Sequence, residues 1–145
     1  MVNDNIISMV DKTKFLGVVI DQCLTFSQHI QYTKGKISRS LGILYKCKKY
    51  FKAETLVRLY TASIYPYFNY CITVWRYTYS TYIMPLVKLQ KRAIRIIASE
   101  HRRANTDPIF IKYKLLPLAK ICIYLVQLFM FKYEHNCLPE MFFDF

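Results

Sequence analysis

The sequence predicts a mainly α-helical fold, a bundle of about five helices preceded by a short N-terminal β-hairpin. From Asp21 onward apolar residues recur at helical spacing. Before Asp21 lie two short runs rich in β-branched residues. An apolar content of 54% over 145 residues is enough to build the core of one domain.

The two early runs are Ile6 to Val10 and Lys14 to Ile20, separated by Asp11, Lys12 and Thr13. In the second run both alternating sets are apolar, so a strand there wants cover on each side. A lone hairpin is marginally stable, which suggests the edge of a larger sheet. Thr25 and Gln28 have capping-box spacing, and Phe26, Ile30, Ile37, Leu41 and Leu44 fall within about 60° on a helical wheel. A long helix is therefore expected from Ser27 to Lys49. A second should begin near Ala53 and stop or kink at Pro66. Ser80 is placed to cap a third, running to about Ser99. Thr106 or Asp107 before Pro108 suggests a short fourth, and Pro117 opens a fifth that ends near Asn136.

The charge is strongly positive and unevenly placed. The chain carries 21 Lys and Arg against 9 Asp and Glu, a formal charge of +12. Lys34 to Arg58 holds eight basic residues against Glu54, and Lys88 to Arg103 holds six against Glu100, while the remainder balances. The whole excess thus sits in two segments that could share one face, and a surface that basic favours polyanionic partners.

Other classes find little support. The five cysteines Cys23, Cys47, Cys71, Cys122 and Cys137 form no C-x-x-C pair, and the opening residues do not read as a signal peptide, so reduced thiols in the nucleus or cytoplasm are expected. His135 and Cys137 are the only close pair of metal-ligand type, and no metal site is expected. The longest uncharged run, Leu59 to Trp75, is shorter than the ~20 residues of a spanning helix and contains Pro66 and Asn69. No phosphate-cradling glycine loop, paired carboxylates or nucleophile-base set stands at convincing spacing, so no catalytic residue is assigned.

Two stripes carry the excess charge. On the third helix Leu86, Val87, Leu89, Ala93, Ile94, Ile96 and Ile97 take one side of the wheel, and Lys88, Lys91, Arg92 and Arg95 take the other. A solvated face usually mixes both signs; this one holds four cations, which favours a polyanion partner. On the first helix Gly35, Arg39, Gly42, Lys46 and Lys49 lie opposite the apolar stripe. A glycine in a helix interior costs about 1 kcal/mol relative to alanine. Gly35 and Gly42 either let a sugar-phosphate backbone approach the helix or admit another helix, and the residues alone do not choose.

Read in order, KFLGVVID (Lys14 to Asp21), LTFSQHI (Leu24 to Ile30), KISRSLGILYK (Lys36 to Lys46), LYTASIYPYFNYCITVW (Leu59 to Trp75) and LQKRAIRII (Leu89 to Ile97) resemble one known series. It is that of the C-terminal part of reverse transcriptases from non-LTR retrotransposons of the jockey type. The likeness continues through LPL (Leu116 to Leu118) to NCLPEMF (Asn136 to Phe142), so it covers nearly the whole chain. The resemblance implies that residues 1–22 are a remnant of the palm and primer-grip β element, with Phe15, Leu16 and Gly17 on a primer-grip strand. Residues 23–145 would be the thumb and C-terminal helical domain, beside an RNA or RNA/DNA template-primer duplex. The family's metal-binding aspartate pair has no counterpart here, so the chain itself is expected to hold no cofactor and to be no enzyme. The parent polymerase would use Mg, and its palm and fingers would be the missing partners. The chain then reads as a fragment, a decayed insertion or a gene model that opens at an internal methionine.

The aromatic stretch SIYPYFNYCITVW matches the family pattern at Tyr65, Pro66, Tyr70 and Trp75. Trp75, Phe68 and Ile72 are expected in the core, with Tyr77, Tyr79 and Tyr82 as the alternative, a base-stacking platform. The function that follows is template-primer binding without catalysis. The competing readings are a non-catalytic interaction module that self-associates through exposed apolar surface, and a peripheral membrane binder that uses the basic helices.

Overall fold

The computed structural model describes residues 10–142. Within them the order is β1 (Lys12–Phe15), β2 (Val18–Asp21), α1 (Ser27–Cys47), α2 (Ala53–Ser63), α3 (Tyr65–Asn69), α4 (Ile72–Trp75), α5 (Ser80–Ala98), α6 (Asp107–Lys112) and α7 (Leu118–Glu134), followed by a 3₁₀ turn at Glu140–Phe142. The chain is mainly helical, as its periodicity predicts, with an antiparallel two-stranded hairpin in front. The described residues hold seven helices rather than five, because the stretch around Pro66 divides into two short ones. Pro66 occupies the first turn of α3, where its missing N–H costs nothing. Cys71 then takes a left-handed conformation (φ 49°), which ends one short helix and starts the next.

The hairpin differs from expectation in its register. Lys14 to Ile20 is not one strand: β1 ends at Phe15, and Leu16 and Gly17 form the turn, with Lys12 paired to Asp21 and Phe15 to Val18. Of the other expected run, Ile6 to Val10, only Val10 lies inside the described residues, and it belongs to no strand. Both turn residues have positive φ, 44° at Leu16 and 85° at Gly17. That is the two-residue turn whose twist suits an antiparallel pair. Gly17 accepts this conformation freely, whereas Leu16 pays a steric penalty of about 1–2 kcal/mol. The Tyr70 hydroxyl donates to the Leu16 carbonyl and so holds the turn. Phe15, Leu16 and Gly17 therefore sit at an exposed tip, not along a covered strand.

The apolar pattern asked for cover on both sides of the strand, but within the hairpin only Val18 is buried. β2 packs on α1, and Val18 joins a core built from Ile37, Leu41 and Leu44 of α1, Leu56 and Tyr60 of α2, and Leu86, Ala93, Ile94 and Ile97 of α5. α1 begins one residue after Phe26, which is left-handed (φ 53°) at the cap position, so the expected capping box does not form. Thr25 instead donates twice to Asp21 Oδ1, from its N–H at 2.9 Å and its hydroxyl at 3.1 Å.

The aromatic stretch is core. Phe68, Ile72 and Trp75 are fully buried, and the Trp75 indole donates to the Tyr70 carbonyl at 2.9 Å. Tyr70 and Trp75 are thus bonded to each other, and Tyr70 in turn to the Leu16–Gly17 turn. His29 lies beneath the hairpin, with its Nδ1 accepting the Val19 N–H at 3.4 Å and its ring 5.8 Å from that of Trp75.

One buried polar group binds three segments together. Gln90 sits on the apolar side of α5. Its Nε2 donates to the Tyr60 hydroxyl at 3.1 Å and to the Leu116 carbonyl at 3.0 Å, while its Oε1 accepts the Leu118 N–H at 2.8 Å. Leu118 opens α7, so Gln90 satisfies one of the N–H groups that a helix start leaves unpaired. Burial pushes the Tyr60 hydroxyl up to about 12 against the opposing effect of the Gln90 hydrogen bond, which keeps the phenol neutral.

Gln90→Leu leaves the buried Leu118 N–H and Tyr60 hydroxyl without partners, each worth roughly 1–3 kcal/mol, and also frees the carbonyl of the exposed Leu116. Urea unfolding should register a loss of at least about 2 kcal/mol, against about 1 kcal/mol for Tyr60→Phe, which spares the other two bonds. Burial also lowers the His29 pKa from its ordinary 6.5. Below that value the unfolded chain binds the proton and the folded one resists it, so stability is full above 6.5 and falls as pH drops. The urea midpoint should decline between about pH 7.5 and pH 5.5, and His29→Phe should flatten that decline. An unchanged slope in the variant would exclude His29 as its source.

Candidate nucleic-acid interface

α1 packs chiefly on α5, and a cleft of about 880 Å³ opens along one flank of that contact. Lys34, Tyr45 and Lys48 of α1 form one wall. Pro85, Lys88, Leu89, Arg92, Arg95 and Ile96 of α5 form the other, and Glu100 and Arg102, just past the end of α5, complete the lining. Six cations thus surround one cavity with a single carboxylate among them. None of the six makes an ion pair among the described residues. Within a Debye length of about 8–10 Å such charges act together, and the positive potential of a walled cleft exceeds that of the same charges on a flat surface.

The C-terminus of α5 places the loop that follows. Ser99 is left-handed (φ 58°), and the Glu100 N–H returns to the Arg95 carbonyl at 3.0 Å, a helix-ending turn that folds the chain back. Arg95 Nε then donates to the Ala104 carbonyl at 2.8 Å. Arg95 is therefore half-buried and fixed, while Lys88 and Arg92 are exposed. Pro85, inside α5, has no N–H to give to the preceding turn and lines the same wall as Leu89 and Ile96.

The two expected basic stripes do not meet. From the α5 stripe Lys88, Arg92 and Arg95 line the cleft, whereas Lys91 is exposed outside it. From the α1 stripe Gly35, Arg39, Gly42, Lys46 and Lys49 are all exposed, and none lines the cleft. The reason is geometric: that stripe is centred opposite Ile37, Leu41 and Leu44, the residues α1 buries, and so points away from α5. On the α1 side the cleft is lined by Lys34 and Tyr45, on one flank of the buried face, and by Lys48 just past the end of the helix. Neither Gly35 nor Gly42 receives another element: a Cβ at either would meet nothing within 4 Å among the described residues.

No family model, curated protein or solved structure matches this chain. The described residues also contain no group of three or more His, Cys, Asp or Glu that could hold a metal ion, and no helix long and apolar enough to cross a membrane. Among the described residues the five cysteines are free thiols, and Cys137 Sγ donates to the His135 carbonyl at 3.4 Å.

Tyr77, Tyr79 and Tyr82 are exposed but lie outside the cleft, and Tyr79 and Tyr82 pack edge to face on each other, 6.0 Å apart. The aromatic residue beside the cations is Tyr45, 59% exposed. Sequence reasoning passed over Tyr45, Lys34, Lys48 and Arg102. The signal for the first two is their position on one flank of the apolar stripe of α1; Lys48 falls in line with that stripe, just past the end of the helix.

Proposed function

We propose that this chain grips the phosphate backbone of a nucleic-acid template and primer, as the thumb and C-terminal part of a non-LTR retrotransposon reverse transcriptase would. The observation that carries the proposal is the α1–α5 cleft, where six cations gather around one carboxylate without internal ion pairs. Lys34 and Lys48 from one helix and Lys88, Arg92 and Arg95 from the other face a common space, so one phosphate backbone can be held from two sides. Binding of this kind is largely independent of base sequence. The interlocking of the quoted motifs also supports it: Tyr70 and Trp75 of one brace the Leu16–Gly17 turn of another. The described residues supply positioning and charge, and nucleotidyl transfer would require a palm from elsewhere.

A second reading is favoured by α7. Past Cys122 this helix exposes Ile123, Tyr124, Phe129, Met130 and Phe131, an apolar surface suited to a protein partner or a second copy.

A salt titration with a short RNA/DNA hybrid tests the first reading. Anisotropy should show affinity falling between about 50 and 200 mM salt, with a log-log slope near −0.9 for each phosphate contacted. Lys88→Ala with Arg92→Ala should reduce the magnitude of that slope by about 2. A flat titration, or no binding at low salt, overturns the reading; concentration-dependent light scattering without hybrid would favour the second.

A further inference from the structure

The cleft holds more than charge. Its walls include Leu89, Ile96 and Pro85, and Tyr45 stands at its edge 59% exposed. Among the described residues the Tyr45 ring has no stacking partner, no cation above it and no hydrogen bond on its hydroxyl. A duplex presents phosphates, sugars and groove edges, and its base faces are already stacked, so it has no use for an unpartnered aromatic ring or an apolar wall. An unpaired strand does, because its bases expose π-faces that stack on aromatic side chains while its phosphates follow the cations. Size points the same way. At about 880 Å³ the cleft falls within the ~300–1,000 Å³ of sites that enclose a small molecule, so a nucleotide fits inside it, whereas a double helix can only rest across its mouth with its phosphates on the cations.

Resting on the reading of the cleft as a nucleic-acid site, we infer that its ligand is single-stranded nucleic acid, with an unpaired base stacked on Tyr45 and the adjoining phosphates on Lys34, Lys48, Lys88 and Arg92. The strand then lies between the two helices. Lys34 and Lys48 are 14 residues apart, about 21 Å along α1 at ~1.5 Å per residue. That length accommodates several phosphates in sequence.

The test uses the whole chain and three fluorescein-labelled probes: a short single strand, a strand of the same length with abasic sites throughout, and an RNA/DNA hybrid. Tyr45→Ala should weaken the ordinary strand roughly five- to hundredfold, the range that loss of one base-aromatic stack gives. Tyr45→Phe keeps the ring and should bind as the parent does. So should Tyr50→Ala, an 81% exposed tyrosine outside the cleft. The parent should bind the abasic strand about as weakly as Tyr45→Ala binds the ordinary one. Tyr45 is exposed, so thermal melts of the variants should coincide with that of the parent. Equal binding of ordinary and abasic strands, or an unaltered Tyr45→Ala, overturns the inference. If the hybrid still binds with steep salt dependence in that case, the phosphate-gripping function stands without it. Failure of all three probes to bind at low salt removes both.

Discussion

The packing of α1 on α5 is the constraint on which the other features depend. Ile37, Leu41 and Leu44 face Leu86, Ala93, Ile94 and Ile97 across a seam that excludes water, and all seven are buried. Burying side chains of this size stabilises by about 1.5–3 kcal/mol each for the larger ones, so the rotation of both helices about their axes is set by apolar contact and not by charge. Everything polar must then find its place on what is left. Lys34 and Lys48 are brought within reach of Lys88, Arg92 and Arg95, while Arg39, Lys46 and Lys49, opposite the buried face of α1, are left outside the cleft. The cleft is thus a by-product of core packing, and its charge persists because no acidic partner other than Glu100 stands along it.

Much of this was legible in the sequence, for identifiable reasons. Helix starts at Ser27, Ala53 and Ser80 follow from the onset of apolar periodicity, and those near Asp107 and Leu118 from prolines that suit a first turn. The burial of Phe68, Ile72 and Trp75 follows from helical spacing and size. The hairpin turn was not legible, since a leucine with φ 44° runs against its own preference and is held by Tyr70, 54 residues away. Gln90 was equally hidden: a glutamine between apolar neighbours gives no sign that Tyr60, Leu116 and Leu118 wait to be bonded. The basic stripes were found as stripes, but a helical wheel shows only the face opposite the core. Which flank meets another helix depends on a packing partner more than forty residues along the chain.

The division of cations into two sets gives the molecule two electrostatic surfaces. Arg39, Lys46 and Lys49 stand on one open face, where solvent and salt screen their charge. Lys34, Lys48, Lys88, Arg92, Arg95 and Arg102 surround a partly enclosed space, where the potential is concentrated. Only the second arrangement has the features of a built site: charges from three segments, an arginine fixed by a backbone carbonyl, an apolar wall and an available aromatic ring. The outer stripe with Gly35 and Gly42 has charge and space but no second wall.

A charge-reversal comparison tests most directly whether the enclosed set, and not the outer stripe, holds nucleic acid. Lys34→Glu with Lys48→Glu and Arg39→Glu with Lys46→Glu change net charge equally, on α1 and the residue that caps it; Lys34, Arg39 and Lys46 are exposed and Lys48 is half-buried. Measured on one labelled template-primer hybrid with a single-stranded overhang at about 150 mM salt, the first pair should abolish binding. The second should leave it within roughly tenfold, the effect of a distant, screened charge. Equal losses from both pairs, or the greater loss from Arg39 and Lys46, would contradict the assignment of the α1–α5 cleft as the binding surface.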